Sequence, residues 1–275
     1  MVRSVVCFFI AALISVGAES GADDKQCVDS GRGPVIRIVE QIRKADYEGD
    51  RAALQRLHHE LAPPAADKTL ASRVLYWRGF ALWRRAINGF NESPTPNDLE
   101  DDLNGAITDF KDAISKDPEN VEPKIGEISC LGYLMYVNRV DRTRLQEFAQ
   151  QVVPLLKETQ AAAPDNPRLL WVMGPMRWSS PPERGGGQDK AFELYNRGLE
   201  AIRKQKPNPD PLEPSWGEPE LLMNLAWSNL NRSIPDLKAA DEDAHAALQI
   251  VPYWHYVRDI LIPQIQAAKV TVKTQ

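Results

Sequence analysis

The chain has 275 residues, with 33 Lys and Arg against 38 Asp and Glu and a formal charge of −5 at pH 7. No basic stripe occurs, which argues against nucleic acid as a partner. With 43% hydrophobic residues it can bury an ordinary core, in one domain or two.

The first residues read as a secretory signal peptide, residues 1–18. Arg3 supplies a positive start, and Val5–Val16 is an apolar run shorter than the roughly 20 residues a bilayer needs. Val16-Gly17-Ala18 fits a small-x-small cleavage site after Ala18, with cleavage after Ser20 or Ala22 as alternatives. The expected location is therefore periplasmic or secreted. No second apolar stretch is long enough to span, so no stable membrane insertion is expected after cleavage. Residues 19–33 read as a flexible leader. Cys27 and Cys130 remain in the mature chain, and an exported setting permits a disulfide between them. Cys130 also lies on an apolar helical face with Ile128 and Leu131, where it reads as a small buried hydrophobe.

Strand and hairpin signals are nearly absent. Pro34 to Asp46 is a predicted helix, with Val35, Ile38, Val39 and Ile42 at helical spacing. Asp50 caps a second helix to Leu61 by accepting from its first free N–H groups. The two form an N-terminal pair within 34–65. Further helices are predicted at 68–90, 98–116, 121–138, 143–162, 166–178, 188–205, 218–231 and 236–250, and the region 253–275 holds a last, capping helix over 253–268 and a tail.

The pairs carry a repeat. On second helices, Ala106, Phe110, Ala113 and Pro118 share one spacing with Ala240, Ala244, Ala247 and Pro252; Ala191, Tyr195 and Gly198 match in part, and Val152, Leu156, Thr159 and Pro164 are degenerate. On first helices, Trp77-x2-Phe80-Ala81, Ile128-x2-Leu131-Gly132, Leu170-x2-Met173-Gly174 and Leu222-x2-Leu225-Ala226 fit, with an alternative register on Gly79 in the first. Arg84, Met135, Arg177 and Asn229 stand where the pattern asks for Tyr. The small residue lets paired helices approach, and steps of three and four keep the second-helix positions on one face. This pattern resembles the tetratricopeptide repeat (TPR) family over residues 66–252. The resemblance implies an all-α fold of stacked antiparallel helix pairs, a TPR-like α-solenoid with capping helices. Pro118 and Pro164 lie farther apart than the family unit of about 34 residues allows, so the turns are lengthened. Asn166-Pro167-Arg168, Pro182-x2-Arg184-Gly185-Gly186-Gly187-x2-Lys190-Ala191 and Pro214-x-Trp216-Gly217 are similar to exported bacterial TPR proteins with a Gly-Gly turn. They are distantly similar to the periplasmic TPR component of TRAP transporters.

Catalytic signals are weak. The Gly185–Gly187 run lacks the strand and Lys-Ser/Thr of a phosphate loop and reads as a turn. His58 and His59 are adjacent on a helix and point too far apart to chelate one metal easily. Glu100-Asp101-Asp102 and Asp241-Glu242-Asp243 read as acids favouring helix starts. No enzymatic activity, metal or cofactor is expected. Asn91-Glu92-Ser93 and Asn231-Arg232-Ser233 are sequons of significance only in a eukaryotic secretory pathway.

In the TPR family the first helices line a concave, ligand-receiving face. That register places Arg78, Arg85, Tyr133, Tyr136, Trp171, Trp178, Met223 and Trp227 in the groove. Core packing is the competing role for each, since the C-terminal Tyr253, Trp254 and Tyr256 could fill the same space. The expectation is a scaffold that binds a protein or peptide through this face. The alternative is a small-ligand-binding component associated with a transporter.

Overall fold

The computed structural model describes residues 22–61, 67–93, 98–206 and 208–273, without the side chains of 22–30, 272 and 273. The predicted signal peptide lies outside the described residues, as does the side chain of Cys27. Among the described residues there is no strand. The helices are α1 (Ala22–Glu48), α2 (Arg51–Glu60), α3 (Lys68–Glu92), α4 (Leu99–Lys116), α5 (Val121–Val137), α6 (Arg142–Ala162), α7 (Pro167–Trp178), α8 (Gln188–Lys204), α9 (Glu218–Asn231), α10 (Leu237–Ile250) and α11 (Ile262–Lys273).

Their starts follow local chemistry. Asp50 accepts from the Ala53 N–H, Asp67 from Leu70, Asn120 from Glu122, Asp141 from Thr143 and Arg144, Asn166 from Arg168 and Leu169, and Asp236 from Ala239. Two expectations change. Residues 22–33 are helical, and α1 runs on through Pro34. The last helix is preceded by a π-helical turn, Tyr256–Leu261. Pro263 has no N–H to donate back and crowds the preceding turn, so the chain widens just before it.

Consecutive helices pack as antiparallel pairs, and the pairs stack. α1, α3, α5, α7 and α9 touch one another in turn and form the inner layer; α2, α4, α6, α8 and α10 form the outer one. The repeat positions explain the close approach. A Cβ at Gly79 would lie 2.7 Å from the Phe110 ring, and one at Gly126 would lie 2.3 Å from the same ring. The alternative register on Gly79 is therefore the one that meets Phe110. At Gly132 the same construction meets nothing within 4 Å. Its facing helix, α6, carries the degenerate repeat, with no aromatic to fill the position. In the Arg184–Gly187 turn, Gly185 and Gly187 have φ of 72° and 108°, and a Cβ at Gly186 would stand 2.2 Å from the Ser180 carbonyl. Only glycine fits there without strain.

The inner face is not an open channel. The 208–217 part of the connection between α8 and α9 crosses it as a strap and buries Leu212 and Trp216. The Trp77 indole N–H donates to the Leu212 carbonyl at 2.8 Å, and that of Trp216 donates to the Tyr76 hydroxyl at 3.0 Å. Arg43 Nη2 donates to the carbonyls of Pro211 and Glu213, at 2.8 and 3.0 Å. Ion pairs Arg32–Asp210 and Arg73–Glu213 hold the flanks. The C-terminal segment then returns to the first pair. Trp254 packs edge-on to Tyr47 at 5.1 Å, and the His255 imidazole bridges Glu92 at 2.7 Å and Asp259 at 2.8 Å. The stack thus meets its own beginning along a seam.

The two acidic runs diverge. Glu100, Asp101 and Asp102 occupy the first turn of α4, as expected. Asp241–Asp243 fall a turn inside α10, because that helix begins at Leu237. Asp243 turns toward α9, where the Asn229 side-chain amide donates to it at 3.1 Å, and burial pushes its pKa up to about 6. An acid whose pKa is raised by folding favours the fold below its unfolded pKa and loses that favour as pH rises through the folded one. Asp243→Asn removes a charge buried at a cost. It is expected to gain about 1–2 kcal/mol at pH 7, with the gain gone by about pH 4. Urea denaturation at the two pH values checks both halves, and equal gains would contradict the assignment.

Candidate functional site

The eight residues expected in the groove separate into two groups. Arg78, Arg85 and Trp171 are consumed by the fold. Arg78 Nε donates to Asp109 at 3.0 Å and Nη1 to the Leu61 carbonyl at 2.7 Å. Asp109 also pairs with the buried His58 at 2.8 Å. Arg85 pairs with Asp98 and, at 2.5 Å, with Asp102, and its Nε donates to the Arg51 carbonyl. Trp171 is only 5% exposed, packed 6.0 Å from Trp83 and 5.4 Å from Trp216. The strap has covered it, which the repeat pattern had no means of showing.

The other five stay accessible. Tyr133, Trp178, Met223 and Trp227 are half-buried, and Tyr136 is 50% exposed. Tyr133 and Tyr136 each pack edge-on to Phe90 at 5.7 Å, and the Arg139 guanidinium lies over Tyr136 at 4.7 Å. Trp178 packs against Trp227 at 5.3 Å and Phe192 at 6.3 Å, with Arg232 over Phe192 at 5.3 Å. Burial pushes the Tyr133 hydroxyl up to about 12; it pushes Tyr256 to the same range, aided by nearby Tyr133.

These aromatics share an address. Phe90 ends α3, Tyr133 and Tyr136 end α5, Trp178 ends α7, and Trp227 falls in the last turn but one of α9, a turn after Met223. The inner helices run parallel because each is separated from the next by an antiparallel partner, so their C-terminal ends lie at one rim. Phe90 was not among the expected residues, although its position in the last turn of a first helix matches that of Tyr136 and Trp178. Phe192, Arg139 and Arg232 carried no such signal, because they come from an outer helix and connections; Tyr256 was expected only as a residue that could fill the groove.

The buried polar groups sit elsewhere. Arg84 lies 2.7 Å from Asp46 and 3.6 Å from Glu220, and the Tyr47 hydroxyl donates to Glu220 at 2.7 Å. Arg168 binds Glu122 through two bonds of 2.6 Å, and Asn166 joins it. The Arg168 set is charge-balanced and the Arg84 set joins one cation to two carboxylates; the members of each bond to one another, which is the form of a structural network. Cys130 is a free, fully buried thiol whose pKa is raised by burial, as expected of a small hydrophobe. Among the described residues no group of three or more His, Cys, Asp or Glu could hold a metal, and no helix is long and apolar enough to cross a membrane.

Fold and site together define an all-α protein of TPR-like helix pairs with a strapped inner face and an aromatic rim. No known family profile matches the chain, and no curated protein matches it. Among solved structures it is similar to the HusA haemophore from Porphyromonas gingivalis, with a TM-score of 0.55 at 18% identity over 72% of this chain and 94% of that one. A thermophilic TPR protein from Thermus thermophilus also matches, with a TM-score of 0.48 at 17% identity over 86% of this chain and 98% of that one.

Proposed function

We propose that this chain is an exported, non-catalytic binding scaffold that holds an apolar segment of a partner protein or peptide against its aromatic rim. The observation that carries the reading is the contrast on one layer of helices. Trp171 and the middle of the inner face are sealed by the strap, whereas Phe90, Tyr133, Tyr136, Trp178 and Trp227 remain accessible at a common end. Half-buried aromatics with an adjacent Arg supply large contact area at low entropic cost, and such residues dominate binding energies at interfaces. Export rests on the leader of residues 1–18.

A second reading is a small flat ligand, in line with the transporter-associated alternative. The crossed Trp178–Trp227 pair offers ring faces and edges to such a molecule, and the fold is shared with a protein described as a haemophore. A peptide-display selection on the purified protein separates the readings. Recovered peptides should be rich in apolar residues and bind the Trp178→Ala/Trp227→Ala variant at least about thirtyfold more weakly, the loss of one or two hot spots. Undiminished binding by a folded double variant would sink the rim as the site. Haemin added to the protein and followed by absorbance tests the small-ligand reading separately: a saturable change lost in the double variant would favour it.

A further inference from the structure

A cavity of about 190 Å³ opens along the seam, between the end of α1, the start of α9 and the end of α10. It shares no residue with the aromatic rim. Phe80, Trp216, Pro219, Ile250 and Val251 form apolar walls, and Arg43, Asp46 and Tyr47 supply the polar side. The polar groups differ in what they are free to do. Asp46 is held by Arg84 at 2.7 Å and by the Asn88 amide at 3.1 Å. The Tyr47 hydroxyl is committed to Glu220. Arg43 has no such counterpart. Its Nη2 donates only to the two strap carbonyls, its buried Nε has no hydrogen-bond partner among the described residues, and its guanidinium lies over the Trp77 ring at 4.7 Å. No described carboxylate forms an ion pair with it. Burial pushes the Arg43 pKa down, and Glu40, one turn earlier on α1, acts on Arg43 only through space. A half-buried cation bonded to carbonyl oxygens alone is electrostatically incomplete, and an anion placed beside it would recover what burial costs.

We infer that this cavity binds a small monocarboxylate with a short apolar tail, the carboxylate on Arg43 and the tail among Phe80, Trp216, Pro219, Ile250 and Val251. The size fits, because a dry cavity of about 150 Å³ already takes a benzene-sized molecule. One negative charge is the limit. A second would face the Asp46 carboxylate on the cavity wall, which already shares its one cation, Arg84, with the buried Glu220. A cation is disfavoured by Arg43 itself.

Hexanoate is the probe, titrated calorimetrically against the protein near pH 7, with 1-hexanol and hexylamine as tail-matched comparators. Hexanoate should bind at one site and at least tenfold more tightly than either comparator. Arg43→Gln should remove that preference, leaving hexanoate no tighter than hexanol. Ile250→Trp, at a half-exposed position on the cavity wall, should weaken hexanoate at least tenfold while keeping Arg43 and its strap contacts. It decides the matter even if Arg43→Gln loosens the strap. No saturable hexanoate binding, equal binding of hexanoate and hexanol, or undiminished binding by the folded Ile250→Trp variant would each overturn the assignment.

Discussion

Arg84→Met is expected to destabilise the fold by about 3–5 kcal/mol, because it leaves two buried carboxylates without their cation. Asp46 is 2% exposed and Glu220 is fully buried, and Arg84 is the only cation paired with either among the described residues. The contact with Asp46 is ionic. Nε lies 2.7 Å from the carboxylate but is misaligned for a hydrogen bond, and Nη1 also lacks a hydrogen-bond partner. Burial by itself would lower the Arg84 pKa; Asp46 and Glu220 raise it, and the result is upward. The guanidinium further sits within 5.6 to 6.0 Å of Phe80, Trp171, Trp216 and Trp83, so its charge is also stabilised by ring faces and edges. The diagnostic is the triple variant. Arg84→Met with Asp46→Asn and Glu220→Gln should recover at least half of the lost stability, since most of the cost lies in the uncompensated charges. Urea denaturation of the single and triple variants measures both. A single variant within about 1 kcal/mol of the parent, or a triple variant no better than the single, would contradict this account of the centre.

Gly174→Ala is the second large expected effect. A Cβ there would stand 1.8 Å from the Tyr195 ring and 2.6 Å from its hydroxyl oxygen. Tyr195 is 2% exposed and fixed between α7 and α9, so it cannot swing into solvent as a surface side chain would. The helices must move apart, and overpacking at such a site costs about 3 kcal/mol, with failure to fold as the extreme. Gly132→Ala is the control. It lies on the equivalent face of α5, meets nothing within 4 Å, and should be neutral or slightly stabilising through helix propensity. Melting temperatures of the two variants check the contrast. A Gly174→Ala protein as stable as Gly132→Ala would mean that the α7–α8 approach is not set by this glycine.

The distribution of legible and illegible features follows from range. Capping by Asp50 and Asn166, the apolar spacing of Val35, Val39 and Ile42, and the proline and glycine breaks act over a few residues, so helix limits could be read to within a residue or two for most elements. The small-to-aromatic contact of Gly174 with Tyr195 was legible too, at characteristic positions of adjoining helices, whereas that of Gly79 with Phe110 was legible only as the alternative to the register on Ala81. Arg84 was visible only as a departure, standing where the repeat asks for Tyr. That it anchors a buried network with Asp46 and Glu220 depends on α1 and α9 converging on α3.

The site was half legible for the same reason. Tyr133, Tyr136, Trp178, Met223 and Trp227 remain accessible beside the inner layer. Trp171 had equal standing in the sequence, yet the strap buries it. Leu212 and Trp216 come from a stretch with no helical period, and the bond from Trp77 to Leu212 spans 135 residues. The amino-acid sequence by itself therefore determined the helices, their pairing and the small-to-aromatic fit within pairs, because these rest on local hydrogen bonding and periodicity. Only the tertiary structure decided which part of the inner face is closed, where the ends meet, and that Arg43 faces a cavity with no ion-pair partner among the described residues, because those depend on contacts whose partners are far apart in the chain and leave no periodic trace.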